Sequence, residues 1–159
     1  MAKVNAKESI IGIIRQGQTF VTKDLKAIPK DKQNSTFGGC TRSALNMVAE
    51  CGGNCRVMGQ ILKGEAVGAM TDEARMAHYN SFDTEEKVLA HLNENVEYLI
   101  GVVQESDDET FGDDCTGFPY GQMSRFGVAQ LPGVHMMYHD GQLNYIQTLL
   151  NDEQVHWRD

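Results

Sequence analysis

Apolar residues recur every three or four positions along four segments of the chain, which is the period of an amphipathic helix. These segments cover residues 7–28, 42–63, 83–103 and 122–150. Pro29 is expected to stop the first segment, because proline lacks the backbone N–H and clashes with the preceding turn. The apolar stripe of the first segment comprises Ile10, Ile14, Gly17, Val21, Leu25 and Ile28, and that of the third comprises Val88, Leu92, Val96, Leu99 and Val103.

The second segment has a wide apolar face that includes polar residues. It is expected to begin at a Thr41 or Ser43 cap and to end at Gly64. One of its faces comprises Met47, Glu50, Asn54, Val57 and Ile61, and the neighbouring face comprises Ala44, Val48, Cys51, Cys55, Met58 and Leu62.

The fourth segment is interrupted by Pro132-Gly133. This pair predicts either a kink or a helix that begins in earnest at Pro132. The expected inward stripe comprises Leu131, His135, His139, Gln142, Ile146 and Leu149.

No stretch alternates with a period of two residues over a useful length, so strands are not expected. The four helices predict an all-α four-helix bundle that forms a single domain over 1–159. Long connectors are expected between the second and third helices, at 64–82, and between the third and fourth, at 107–121. The first connector contains a candidate helical turn around 72–77. An Asp83 cap is expected to open the third helix.

The charge balance bears on possible partners. The chain has a formal net charge of −8 and no cluster of Lys or Arg, so we expect no nucleic acid partner, because a polyanion is bound by a basic surface. No apolar run approaches the roughly 20 residues that a membrane-spanning helix requires. Residues 1–5 lack the apolar stretch of a signal peptide. We therefore expect a cytoplasmic protein with no membrane partner.

His135 and His139 lie four residues apart in the fourth segment. This spacing places both imidazoles on one face of a helix, within reach of a single divalent ion. The alternative is a pair of core histidines, each hydrogen-bonded to a backbone carbonyl or a carboxylate. The spacing alone fits both alternatives.

Glu50 lies mid-helix among apolar residues, where an isolated carboxylate is costly to bury. A buried glutamate requires a cation, and one Glu with two His is a ligand set of many catalytic metal sites. Glu50, His135 and His139 are therefore the candidate metal ligands. The alternative is that Glu50 lies at the edge of its helix face, solvated or bonded to Asn46 or Asn54.

The other candidate residues are weaker. Cys51 and Cys55, one helical turn apart, offer sulfur ligands for a soft metal, but the favoured interpretation is two small buried side chains. His91 and Glu94 are expected on the solvent side of the third helix.

His135-x-x-x-His139 followed by Gly141-Gln142-Leu143 resembles the last-helix signature of the DinB-like (DinB/YfiT) superfamily. Weaker features elsewhere are also similar to that family. They are the end of the first helix at 25–29, the opening of the second at 43–44 and the approach to the third at 82–84.

The resemblance implies a four-helix bundle with a crossing connection, a divalent metal held by three histidines and, often, a homodimer. Some members of the family are thiol-dependent S-transferases or metal-dependent hydrolases. The family pattern places its first histidine ligand about seven residues after the small residue that opens the second helix. Counting from Ser43, that position is Glu50 here, so the chain departs from the family at this ligand.

We therefore expect a DinB-like metalloenzyme that acts on a small electrophile, as a metal-dependent hydrolase or a thiol S-transferase. The expected cofactor is a divalent Zn, Ni, Fe or Mn ion, and the expected partners are a small-molecule substrate and a low-molecular-weight thiol. Tyr138, Gln142 and Asn54 are the candidates for contacts with substrate or with the metal ligands. The alternative is a metal-free bundle that serves as a binding or stress-associated module, with its histidines and Glu50 in a hydrogen-bonded core.

Overall fold

The computed structural model describes residues 5–158. Its α-helices and one short 3-10 helix are α1 (Ala6–Ala27), α2 (Ala44–Leu62), α3 (Asp72–Asn80), α4 (Glu85–Glu105), the 3-10 helix Asp108–Gly112 and α5 (Arg125–Leu149). Within the described range there is no strand, only an isolated bridge between Asp114 and Ser124. The prediction of an all-α chain is confirmed. None of the described helices is both long and apolar enough to span a bilayer.

The four long helices each pack mainly against two others. Helix α1 packs against α5 and α4, and α2 packs against α4 and α5. The order around the core is therefore α1, α4, α2, α5, so that helices consecutive in the chain, α1 and α2, lie diagonally across it. One contiguous apolar core runs between them.

The predicted apolar stripes of α1 and α4 form the centre of this core. Ile14 and Leu25 of α1, and Leu92 and Leu99 of α4, are fully buried. Both helices also begin with a side-chain cap. For α4 the cap is Thr84, whose hydroxyl accepts a hydrogen bond from the backbone N–H of Lys87 at 3.3 Å, so the expected Asp83 cap is wrong by one residue.

Helices α1 and α5 approach each other closely at two glycines. A Cβ added to Gly133 would lie 2.9 Å from the backbone carbonyl of Ile13, and one added to Gly17 would lie 2.8 Å from the carbonyl oxygen of Gly133. Real side chains do not tolerate such distances to backbone atoms, so the packing of these two helices depends on the absence of both side chains.

Helix α5 differs from its prediction in two ways. It runs without interruption from Arg125 to Leu149, with Pro132 inside it, so the expectation that it begins at Pro132 is wrong. Its buried face is also rotated from the predicted stripe: Met136 and Leu143 are fully buried, whereas Leu149 is 47% exposed. The predicted stripe residues from His135 to Leu149 line a cavity instead.

Helix α3 is longer than the single turn expected around 72–77. It has nine residues, and Tyr79 is the residue that it buries in the core. Because one buried residue makes no stripe, periodicity could not reveal the full length of this helix.

The connection into α2 is held by a buried glutamine. The side-chain amide of Gln33 donates hydrogen bonds to the carbonyls of Leu25 and Ile28 at 3.1 Å and to Glu85 at 2.7 Å, and its backbone carbonyl accepts one from the N–H of Leu45. Gln33 thus joins the end of α1 to the beginnings of α4 and α2. It fixes the end of α2 that carries the site described next.

Candidate metal centre

A cavity of about 720 Å³ lies between α5, α2 and the segment 37–42 that precedes α2. Glu50, His135 and His139 all line it. The part of its wall that α5 contributes comprises His135, Tyr138, His139, Gly141, Gln142, Tyr145, Ile146 and Leu149. The structure therefore brings the three predicted metal ligands to one cavity.

His135 and His139 project from adjacent turns of α5, with ring centroids 4.6 Å apart and ring planes nearly perpendicular. His139 is buried and His135 is half-buried. Burial, and next the neighbouring His139, lower the pKa of His135 to about 4. The His135 imidazole is therefore neutral at physiological pH, which is the form that binds a metal.

Gln142 fixes the orientation of the His139 ring. Nδ1 of His139 lies 2.7 Å from Oε1 of Gln142, and the Gln142 amide nitrogen donates to the hydroxyl of Tyr138 at 3.2 Å. Because a carbonyl oxygen only accepts, Nδ1 carries the proton in this arrangement, and Nε2 of the neutral ring has a free lone pair.

Glu50 faces His139 from α2. Its Oε2 lies 3.2 Å from Nε2 of His139, and the same oxygen accepts a hydrogen bond from the guanidinium of Arg42. A hydrogen bond from His139, in the form that carries a proton on Nε2, and then Arg42 outweigh the effect of burial and lower the pKa of Glu50 to about 2. The carboxylate is therefore ionised, and its buried charge is compensated by an arginine that the sequence did not indicate.

Cys51 forms a compact group with the two histidines. One potential ligand atom from each of Cys51, His135 and His139 lies within 4.8 Å of the other two, and Cys51 and His139 are both buried. This buried group could hold a metal ion. Glu50 is not a member of it, although its carboxylate touches His139.

Buried nitrogen atoms without hydrogen-bond partners among the described residues, and a nearby carboxylate, make this centre suitable for a cation. Within the part of the chain that the structure describes, His135 Nδ1 and His139 Nε2 are buried without a hydrogen-bond partner. The 3.2 Å approach of His139 Nε2 to Glu50 sets a lone pair against a carboxylate oxygen unless a proton or a metal ion neutralises it. Two imidazoles with a thiol or a carboxylate are also donors that Zn²⁺ and related ions prefer. The residues present therefore fit a divalent ion.

The three residues predicted to contact substrate or ligands fall in different places. Tyr138 lies at the rim of the cavity and is 63% exposed. Gln142 also lines the cavity, and its side chain contacts His139 Nδ1. Asn54 lines a second cavity of about 540 Å³ on the other side of Glu50, and its Oδ1 is buried without a partner among the described residues.

His91 also differs from expectation, because it is half-buried rather than on the solvent side of its helix. Its Nε2 lies 3.2 Å from the carbonyl of Ala49, and its ring fits over Gly52, where an added Cβ would lie 2.5 Å from the ring. Burial lowers its pKa. Glu94 is exposed, as predicted.

Sequence reasoning missed two contributors to the centre. Arg42 was placed at the start of the second predicted segment without a role, and its separation of eight residues from Glu50 did not indicate their ion pair. Cys51 was assigned to the core beside Cys55, and it is indeed buried. Its proximity to His135 and His139 was not predicted. A third missed feature is the segment 37–41, including exposed Cys40, which forms one side of the cavity.

No family model matches the chain, and no curated protein matches it. The solved structures that share its fold include two crystal structures. The colibactin self-resistance protein ClbS, in complex with double-stranded DNA, aligns with a TM-score of 0.69 and 20% identity over 92% of this chain and 98% of that one. A Streptococcus pneumoniae protein aligns with a TM-score of 0.72 and 12% identity over 94% of each chain. These similarities establish a fold shared with small all-helical proteins.

The ClbS structure corrects the expectation that nucleic acid is excluded as a partner. A protein with this fold over nearly its whole length was crystallised with double-stranded DNA. A net charge of −8 is an average over the whole surface, so it is not a sufficient reason to exclude a local contact with DNA.

Proposed function

We propose that this chain is a DinB-like metalloenzyme with a four-helix-bundle fold, and that a divalent ion binds at His135 and His139. The observation that carries the proposal is the pair of buried imidazole nitrogens without hydrogen-bond partners among the described residues, at the wall of a 720 Å³ cavity. Unpaired buried polar atoms are costly, and a metal ion compensates that cost. The third ligand predicted from the sequence is Glu50 of α2, and its neighbour Cys51 is a second candidate.

The cavity supports a small molecule as substrate. Its volume lies within the roughly 300–1,000 Å³ typical of small-molecule sites. Exposed Tyr138 and Tyr145 form its rim and offer flat surfaces for the substrate. The one arginine that lines the cavity, Arg42, is already paired with Glu50, so the cavity favours a substrate without a strong charge.

The reaction class that these groups fit best is attack on a small electrophile, by water in a hydrolase or by a thiol in an S-transferase. A bound divalent ion supplies Lewis acidity and lowers the pKa of the attacking group. Glu50 is ionised and faces the cavity, and because its low pKa makes it a weak base, its candidate role is to accept a hydrogen bond from the attacking group and orient it. Gln142 holds the ring of His139 in one orientation, and the half-buried Arg42 keeps the carboxylate of Glu50 in place.

The alternative is a metal-free binding module. It is favoured by the 3.2 Å contact between Glu50 and His139, which an imidazolium proton would neutralise as a metal would. In that protein the three side chains and Arg42 form a core network, and the cavity binds ligand without chemistry.

Melting temperature in the presence of divalent ions separates these proposals. We expect zinc or another divalent ion to raise the melting temperature, because a ligand that binds only the folded state adds stability. The rise should fade as pH falls towards the lowered pKa of His135, about 4, since a protonated imidazole does not bind metal. His139→Ala should abolish it.

The matched control is His156→Ala, which removes a histidine of the C-terminal tail that pairs with Asp152. That variant should keep the full metal-dependent rise. If zinc, nickel, manganese and iron(II) leave the melting temperature of the wild-type protein unchanged, the metal-free module is the correct account.

Association with double-stranded DNA is a second candidate function, favoured by the complex that the similarly folded ClbS forms. Fluorescence anisotropy of a labelled duplex, titrated at several salt concentrations, tests it directly. Binding whose affinity falls with salt would support a phosphate-contacting surface. Unchanged anisotropy at low salt would remove this candidate.

We also propose a homodimer, on the resemblance to DinB-like proteins and on the exposed apolar residues Val134, Tyr138, Tyr145 and Leu149 along α5. Light scattering should give twice the chain mass of 17.7 kDa. A mass of 17.7 kDa at high concentration would contradict the proposal.

A further inference from the structure

Helix α2 presents two adjacent candidates for the third metal ligand, Glu50 and Cys51. They differ in chemistry, because a carboxylate suits harder ions such as Mn²⁺ and Fe²⁺, whereas a thiolate selects softer ones such as Zn²⁺. The third ligand therefore decides the class of metal.

The position of Cys51 favours the sulfur. Its Sγ and one nitrogen each of His135 and His139 lie within 4.8 Å of one another. In a tetrahedral zinc site, with Zn–N near 2.0–2.1 Å and Zn–S near 2.3 Å, one sulfur and two nitrogen ligands lie roughly 3.3–3.6 Å apart. The ligand atoms of this group are therefore at most about 1.5 Å further apart than in a closed site.

The position of Glu50 disfavours the carboxylate. Its Oε2 is bound to Arg42, and Arg42 is held in turn by Asn46, whose Oδ1 accepts from Nε at 2.6 Å and whose backbone carbonyl accepts from the guanidinium at 3.3 Å. Oε2 is the carboxylate oxygen nearest His139, so a metal bound through it would compete with Arg42 for that oxygen, and Glu50 is not in the compact group that Cys51 forms with the two histidines.

We infer that the Cys51 thiolate, rather than the Glu50 carboxylate, is the third protein ligand, so that the centre is a Cys-His-His site of the zinc class. This inference rests on the proposed function and names the ligand set and metal class of the same site. Binding breaks the S–H bond of Cys51, forms a metal–sulfur bond and releases the proton to solvent. Three protein ligands would leave a fourth position of the ion for water or substrate. Glu50 stays paired with Arg42 at the cavity wall, where it can accept a hydrogen bond from the attacking group.

Titration of the purified, metal-free protein with cobalt(II) chloride tests the ligand directly. A thiolate ligand gives a cobalt–sulfur charge-transfer absorption in the near ultraviolet, which carboxylate and imidazole ligands do not give. We expect this absorption in the wild-type protein and in Glu50→Gln. We expect Cys51→Ala to lose it and to weaken zinc binding by more than the 10–100-fold that loss of a supporting residue typically costs.

Cys55→Ala and Cys40→Ala are the matched controls. Cys55 is buried one turn further along α2, so Cys55→Ala controls for the loss of a thiol from the core. Cys40 is exposed on the cavity wall, so Cys40→Ala controls for the loss of a thiol from the cavity. Both should keep the absorption. Circular dichroism of each metal-free variant verifies that it is folded, and release of a thiol proton on zinc addition to wild-type protein gives a second readout if Cys51→Ala does not fold.

The outcomes are distinguishable. Cobalt that binds without the sulfur absorption, or binding that depends on Glu50 instead of Cys51, overturns the inference and leaves the proposed metalloprotein intact. Loss of the absorption in Cys55→Ala or Cys40→Ala assigns the sulfur to another residue and also overturns it. If neither cobalt nor zinc binds to the wild-type protein, the proposed function itself is wrong.

Discussion

Gln142 is the residue on which the orientation of His139 depends, because its Oε1 is the partner of His139 Nδ1 at 2.7 Å. We expect Gln142→Leu to weaken zinc binding by about 10–100-fold, since loss of a residue that orients a metal ligand typically costs that much. Competition with a fluorescent zinc chelator measures the dissociation constant.

Tyr138→Phe is the control for that variant. It removes only the hydroxyl that accepts a hydrogen bond from the Gln142 amide, and leaves the contact with His139 in place. Its zinc affinity should stay within a few-fold of wild type. Equal losses in both variants would mean that the rim of the cavity, and not the orientation of His139, determines affinity.

The residues of the centre were predictable from sequence to different degrees. His135 and His139 were evident from their spacing, and Glu50 from the cost of burying a lone carboxylate. Cys51 was not, because its burial as a small apolar residue gives the same pattern as burial beside a metal. To choose between Glu50 and Cys51 one must know which face of α2 is turned towards α5. That rotation is set by side-chain packing between the helices, which cannot be read from a single sequence.

At the scale of elements, the contact between α1 and α5 depends on Gly133, whose missing side chain admits the backbone of Ile13. We expect Gly133→Ala to lower the free energy of unfolding by about 1–3 kcal/mol, as overpacking typically does. Urea denaturation followed by circular dichroism measures it.

Gly12→Ala is the matched control, since Gly12 also lies within a helix but an added Cβ would meet nothing within 4 Å. This substitution should stabilise the protein by roughly 0.5–1 kcal/mol, because alanine has the higher helix propensity. If both variants behave alike, the close approach of α1 and α5 is not a determinant of stability.

The same pair of helices buries two carboxyl groups, Asp24 of α1 and Asp140 of α5, near Asn144. Burial first, and then the hydrogen bond and charge of Asp24, raise the pKa of Asp140 to about 8. The folded protein therefore keeps a proton that the unfolded chain releases above about pH 4. Unfolding releases this proton, so stability should fall as pH rises from about 4 to 8, by at most about 1.4 kcal/mol per pH unit.

Asp140→Asn should remove that decline, because an amide does not titrate. Urea denaturation of the metal-free protein at pH 5 and pH 8 measures the difference, and Asp31→Asn, which alters an exposed carboxylate, is the control. A decline of the same size in wild type and Asp140→Asn would show that other groups cause it.

Elements with a full apolar stripe were predictable, and the others were not. Helices α1 and α4 each pack one face against the core, so their stripes matched the buried residues. Helix α5 has two inward faces, one that lines the cavity and one that packs in the core. The predicted stripe followed the cavity face, with His135, Gln142 and Leu149, whereas Met136 and Leu143 pack in the core. Polarity alone could not separate a face that lines a cavity from one that fills a core.

At the scale of the whole molecule, the fold places two helices that are distant in the chain, α2 and α5, side by side. That arrangement brings Cys51, His135 and His139 together across more than eighty residues of sequence. The fold is shared with ClbS and the Streptococcus pneumoniae protein at 20% and 12% identity. At such identities the fold tolerates almost complete replacement of side chains, so function must be argued from the centre itself.

Zinc content of the untagged protein, purified without chelator and measured by elemental analysis, is the most direct test of the central claim that this centre binds a divalent ion. We predict close to one zinc ion per chain in the wild-type protein and almost none in a His135→Ala/His139→Ala double variant that is still helical by circular dichroism. Wild-type protein that contains no divalent metal and takes up none on addition of zinc would contradict the account.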